Sequence, residues 1–222
     1  MRKQFVILVY LLLLSSAVHA FTNQLEYSLG HGYPKTSVSA GEGSGNAGGT
    51  GTDWNADILH VMNPRFYLGL GGGMFRSGDA TTTGFLSGAQ STLSSRTSSI
   101  LALARMDWPS PSRLVPYLIG GAGWVRSSLN IRAAPSSPWT DTGTSEIRML
   151  LDDSQSTFGY AGGAGLDYTL TQALVFGVEV RYQGSLKKSY ALTAQGAAAT
   201  GLSSIDTSLD VLTATLKIGI KY

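Results

Sequence analysis

The twelve residues Val211 to Tyr222 (VLTATLKIGIKY) alternate without interruption. Leu212, Ala214, Leu216, Ile218, Ile220 and Tyr222 fall on one face, and Thr213, Thr215, Lys217, Gly219 and Lys221 on the other, because successive strand side chains point to opposite sides. One face is apolar and the other is wet. Such a strand needs a partner on each edge, and a closed barrel in a membrane supplies both, since lipid tolerates no unpaired edge.

Seven more segments carry the same period. Gln24 to Tyr33 sets Leu25, Tyr27, Leu29, His31 and Tyr33 against Glu26, Ser28, Gly30 and Gly32. Trp54 to Met62 sets Trp54, Ala56, Ile58, His60 and Met62 against Asn55, Asp57, Leu59 and Val61. Phe66 to Arg76 and Ser98 to Trp108 follow, the latter with Arg105 and Asp107 on its inner face. Val115 to Arg126 is apolar or small on both sides, so its facing stays open. Thr157 to Leu170 places Gly159, Gly163, Gly165 and Asp167 opposite large apolar residues, and Leu174 to Gln183 places Glu179 and Arg181 opposite Phe176, Val178, Val180 and Tyr182.

The connections sort into two kinds. Asn63-Pro64-Arg65, Pro109 to Ser112 and Thr171 to Ala173 are short turns built from turn-forming residues. Pro34 to Asp53, the polar stretch up to Thr97, Ser127 to Ser156 and Gly184 to Ile205 are expected to be long loops, with a short helix over Ser145 to Asp153. Short and long connections alternate. The pattern predicts an all-β fold, an eight-stranded antiparallel up-and-down transmembrane β-barrel with three short periplasmic turns and four long extracellular loops. Tyr33, Trp54, Trp108, Tyr117, Tyr168, Tyr182 and Tyr222 near the predicted strand ends are assigned to aromatic girdles.

The first twenty residues read as a cleaved secretory signal, with Arg2 and Lys3 ahead of the apolar run Phe5 to Leu14, and with Val18-His19-Ala20 giving small residues at the two positions a signal peptidase reads. That gives residues 1–20 as signal and 21–222 as one barrel domain. The chain has no cysteine, hence no lipoprotein anchor and no disulfides. The full chain carries 16 basic and 14 acidic side chains, and removing Arg2 and Lys3 leaves 14 of each. A neutral mature chain excludes nucleic acid as a partner, because phosphate backbones demand a basic surplus.

The run VPYLIGGAGW, then GYAGGAGLDYTLTQALVFGVEVRY, then a terminal LKIGIKY resembles the small eight-stranded outer-membrane barrels of the OmpA transmembrane and OmpX/Ail-like types. The likeness spans the mature chain and is strongest over Val115 to Tyr182 and at the C-terminus. It implies a Gram-negative outer-membrane location among membrane lipids and lipopolysaccharide. It also implies recognition of Leu216, Ile218, Ile220 and Tyr222 by the barrel-assembly machinery. The terminal Tyr departs from the Phe more usual in such families, and cell-wall anchoring is not implied. Adhesion, surface antigenicity or contact with host surface molecules through the loops, Trp139 and Arg148 among them, is the role the resemblance allows.

The candidate site is the barrel-interior polar network of Glu26, Asp57, Arg105, Glu179, Arg181 and Lys217. Eight strands leave an interior just wide enough for side chains to fill. An unpaired charge there costs several kcal/mol, so the acids are expected to interlock with Arg105, Arg181 and Lys217 as a plug. The alternative is a narrow low-conductance pore. A lipid-A-modifying enzyme is disfavoured because His31 and His60 belong to opposite ends of the barrel, and no Gly-x-Ser-x-Gly elbow or metal-ligand spacing occurs. No cofactor is expected, as GLGGGM and GYAGGAG match neither phosphate-loop pattern. A soluble lipocalin-like carrier, with its apolar face inward, is the structural rival.

Overall fold

Alternation becomes architecture only when each strand finds two neighbours. The computed structural model describes residues 23–40, 43–83, 90–108, 111–133 and 149–222. Eight long strands make the wall: β1 (Asn23–Ala40), β3 (Gly51–Asn63), β4 (Phe66–Ser77), β6 (Gln90–Asp107), β7 (Leu114–Ala133), β8 (Met149–Thr169), β9 (Leu174–Ser185) and β11 (Ser204–Lys221). Three short strands, β2 (Gly43–Gly48), β5 (Ala80–Thr83) and β10 (Lys188–Ala191), extend the hairpins at one end. Each long strand pairs antiparallel with the next, and β11 returns to β1. At the seam Asn23 N donates to Tyr222 O (3.0 Å) and Tyr222 N to Asn23 O (2.9 Å).

The ring closes with an offset. Partner to partner, the ladder runs from Leu25 through Ile58, Leu70, Ala102, Ala122, Tyr160, Gly184 and Asp210, and regains β1 at Lys35, ten residues further on. Strands must tilt to close with such a stagger, typically by about 35–45°. The strand ends that the short turns join, those of β3 and β4, β6 and β7, and β8 and β9, sit together at the end that holds both termini of the sheet. Asn63 Oδ1 accepts from Arg65 N (2.9 Å), and Thr171 Oγ1 accepts from Leu174 N (3.0 Å), so side chains tie two of these turns.

The outer face of this half is greasy. Leu216 is 71% exposed, Ile100 69% and Trp124 64%, with Leu29, Leu70, Val178 and Ile218 beside them. A belt of that extent cannot face water and belongs in hydrocarbon. Among the described residues no helix is long and apolar enough to cross a membrane.

The stretches expected to be loops are largely strand. β1 continues through Pro34 to Ala40, β6 starts at Gln90, β7 continues to Ala133, and β8 starts at Met149, where Met149 to Asp153 is extended rather than helical. Ser145 to Arg148, and Trp139 with them, lie outside the described residues. A membrane-crossing strand needs about 9–11 residues. The 20 residues of β7 and 21 of β8 therefore carry the wall well beyond the bilayer.

The extension escaped the sequence reading because its chemistry inverts. Along β7, Trp124 faces out, whereas above it Arg126, Ser128, Asn130 and Arg132 face out and Val125, Leu129 and Ile131 face in. The side-chain phase is unbroken; lipid outside has been replaced by water. Leu93, Leu129, Ile131, Leu150, Leu151, Tyr190 and Ile205 form an apolar core inside this upper barrel. A helix, α1 (Ala194–Thr200), lies in the stretch expected to be loop between β10 and β11. Thr193 caps its start by accepting from Gly196 N (3.0 Å), and Gly201 ends it at φ +71°.

Lys188 is buried in this upper interior, donating to Ser127 Oγ (2.9 Å). No carboxylate pairs with it among the described residues, and burial pulls its ammonium down to about 8. The unfolded chain then binds more protons than the folded one between about pH 8 and roughly 10.4, so folding stability rises with pH across that window. Lys188→Met should be the more stable protein at pH 7. Its advantage over wild type should shrink as pH climbs from 8 to 10, as read from urea midpoints.

Candidate functional site

The site is built by the inward period of five strands near the short-turn end. Glu26 on β1, Asp57 on β3, Arg105 on β6, Glu179 and Arg181 on β9 and Lys217 on β11 all point into the barrel and are buried. Their spacing within each strand puts them there, and the ring offset decides who meets whom.

Arg105 is the hub. Its Nε donates to Asp107 Oδ1 (2.6 Å), its Nη2 to Asp167 Oδ2 (2.6 Å), and its Nη1 to Glu26. Lys217 Nζ bridges the same two distant acids, Glu26 Oε1 at 3.0 Å and Asp167 Oδ1 at 2.8 Å. Gln24 Nε2 donates to Glu26 as well. A second cluster sits beside the first: Arg181 donates through Nη2 to Asp57 Oδ2 and through Nε to Glu179 Oε1, both at 2.6 Å. Since Glu26 and Arg105 stand on strands three apart in a ring of eight, as do Arg181 and Asp57, both clusters cross the barrel.

Tyr117 joins them. It was assigned to a girdle, but it is 1% exposed and points inward. Arg105 Cζ lies 3.8 Å from its ring centroid and Lys217 Nζ 4.1 Å, while its hydroxyl donates to Glu179 Oε2 (2.8 Å). Cations over a desolvated aromatic face gain up to about 2 kcal/mol. The open facing of this strand is thereby settled: Tyr117, Ile119 and Val125 face in, Leu118 and Trp124 out. Gly165 is what makes room, since a Cβ there would stand 2.3 Å from Tyr117 Cζ. Sequence missed Tyr117 because VPYLIGGAGW has no polar face to give it away.

Six acids are buried in this half, Glu26, Asp53, Asp57, Asp107, Asp167 and Glu179, against the three cations Arg105, Arg181 and Lys217. Amides and hydroxyls share the surplus, as where Asn55 Nδ2 donates to Asp53 Oδ2 (2.8 Å). The arrangement can lock the lumen and favours positive charge within it. Nothing in it resembles a nucleophile and base. His60 faces out at the short-turn end, 2.9 Å from Asn23 Oδ1. His31 also faces out, and since β1 runs on to Ala40 it lies in the middle of that strand rather than at a loop end.

Removing the hub should leave Asp107 without its cation and Glu26 and Asp167 with Lys217 alone. Arg105→Met is expected to cost about 3–5 kcal/mol, measured from urea midpoints of the folded band on unboiled gels, and Arg105→Lys to restore only part. Gly165→Val should displace Tyr117 and cost about 1–3 kcal/mol in the same measurement.

Comparison with known proteins agrees with this architecture. The chain is similar in structure to the outer membrane protein OprG from Pseudomonas aeruginosa, with a TM-score of 0.58 and 14% identity, over 92% of this chain and 97% of that one. It also matches Neisserial surface protein A (TM-score 0.40, 14% identity, 89% and 97% covered) and Ail of Yersinia pestis (0.36, 16%, 88% and 98%). A search of curated proteins returns no match. The model of the outer membrane protein beta-barrel domain matches residues 6–222, so the chain belongs to that family and resides in the bacterial outer membrane.

Proposed function

We propose that this barrel is a closed scaffold which holds a rigid, water-exposed extension at the cell surface. Its role is structural or surface-interacting, through the connections at the far end of that extension. The observation that carries the reading is Arg105 holding Glu26, Asp107 and Asp167 at once, with Lys217 bridging two of them and the Tyr117 ring in contact with both cations. Opening a path through it requires desolvated ion pairs to part, which costs several kcal/mol per unpaired charge. The apolar core around Leu129 and Ile131 adds a second barrier above it.

The reading is non-enzymatic, since His31 and His60 both face outward at different heights. In this account residues 1–20 are removed on export, and the outward Leu216, Ile218 and Ile220 of β11, with Tyr222 just past its end, guide assembly. Outer-membrane lipids and lipopolysaccharide are the barrel's surroundings and surface molecules its partners.

Planar-bilayer recording of the refolded, heat-modifiable protein tests the seal. Wild type should give no steady conductance, while Lys217→Ala combined with Glu179→Ala should give small openings. A steady wild-type conductance that Glu179→Ala alters would make the protein a narrow pore instead.

A further inference from the structure

Arg76 on β4 and Arg96 on β6 are direct cross-strand partners, and both are exposed on the outer face. Like charges set opposite each other destabilise a sheet unless something lies between them. Arg126 on β7 adds a third charge. Its partner is Ser98, two residues from Arg96 on the same face, which places it on the diagonal. None of the three joins an ion pair among the described residues. Arg96 Nη2 contacts Met74 Sδ (3.1 Å) and Arg126 Nε donates to Ser154 Oγ (2.8 Å), leaving most of their donors free. Elsewhere at this height a cation faces an acid: Lys35 is paired with Asp210 across β1 and β11.

Height identifies the occupant. Arg126 stands one pleat above the outward Trp124 and Arg76 one pleat above the outward Met74, immediately past the apolar belt. Tryptophan marks the membrane interface, and the charged groups of lipids begin there. A groove of 480 Å³ runs upward from Arg76 and Arg96, lined by hydroxyls and amides including Ser94, Ser128 and Asn130, and by Arg132; Asp79 is its one carboxylate. Planar guanidiniums suit phosphate because they can donate two parallel hydrogen bonds to it.

We propose that Arg76, Arg96 and Arg126 form a binding site on the barrel's outer wall for a phosphorylated glycolipid headgroup of the outer leaflet. The phosphate relieves the arginine repulsion, the lipid's acyl chains lie on the belt beneath, and its sugar reaches into the polar groove. The site lies outside the lumen and stands whether the interior is sealed or conducting.

The test uses the full mature barrel, folded in detergent. The probe is bisphosphorylated lipid A, compared with the same lipid after removal of its phosphates, and bound lipid is counted by native mass spectrometry. Wild type should bind the phosphorylated form about tenfold more tightly, and Arg76→Gln with Arg96→Gln should bring that ratio near one. Lys35→Gln, on the opposite wall, should leave it unchanged. In lipid-free detergent Arg96→Gln should be at least as stable as wild type, because it removes repulsion; a clear loss there would make the arginine a packing residue and overturn the proposal. Equal binding of the two lipids would overturn it as well. So would complete displacement of lipid by millimolar inorganic phosphate, which would assign the site to a free anion.

Discussion

Everything in this molecule depends on the pairing of β11 with β1. In hydrocarbon an open sheet edge leaves a row of backbone groups with no partner, each costing several kcal/mol, so the wall exists only as a complete ring. Completion with a ten-residue offset tilts every strand. It also carries residues distant in sequence to common heights inside: Glu26 and Lys217 meet 191 positions apart, and Asp57 and Arg181 meet 124 apart.

The same closed wall serves two solvents. In the bilayer its outside is Leu, Ile, Val and aromatic, and its inside holds charge that water cannot reach and that must therefore be neutralised by neighbours. Beyond the bilayer the outside is Ser, Asn and Arg, and the inside is chiefly Leu, Ile and Tyr, with Lys188 buried among them. The inversion follows from one rule, that each face matches its surroundings, applied on both sides of an interface. The apolar-inward arrangement of the rival carrier fold is thus the arrangement of the upper half of this one. The cations at the interface lie where the rule changes over.

Inside, stability and closure come from the same contacts. A buried cation surrounded by three carboxylates gains only if geometry is good, and Arg105 meets that condition with three of its nitrogens engaged and an aromatic face 3.8 Å away. Tyr117 turns two ion clusters into one network, so that loosening either affects the other.

Period two, which needs only neighbouring residues, made eight strands legible, along with the inward facing of Glu26, Asp57, Arg105, Glu179, Arg181 and Lys217 and the short turns at Asn63-Pro64 and Thr171. It failed where contrast vanished. Tyr117 sat in a segment apolar on both sides, so only the ring could assign its face. Thr36 and Ser95 sat in polar segments with no greasy face, and strand there is imposed by the neighbouring strand's hydrogen bonds rather than by propensity. Sequence alone therefore determined which residues alternate, and hence that the chain builds a wall with a polar interior. Which acid meets which cation, how far the wall rises above the membrane, and that Arg76 is set against Arg96 were decided by the tertiary structure, because each depends on the register with which distant strands close the ring.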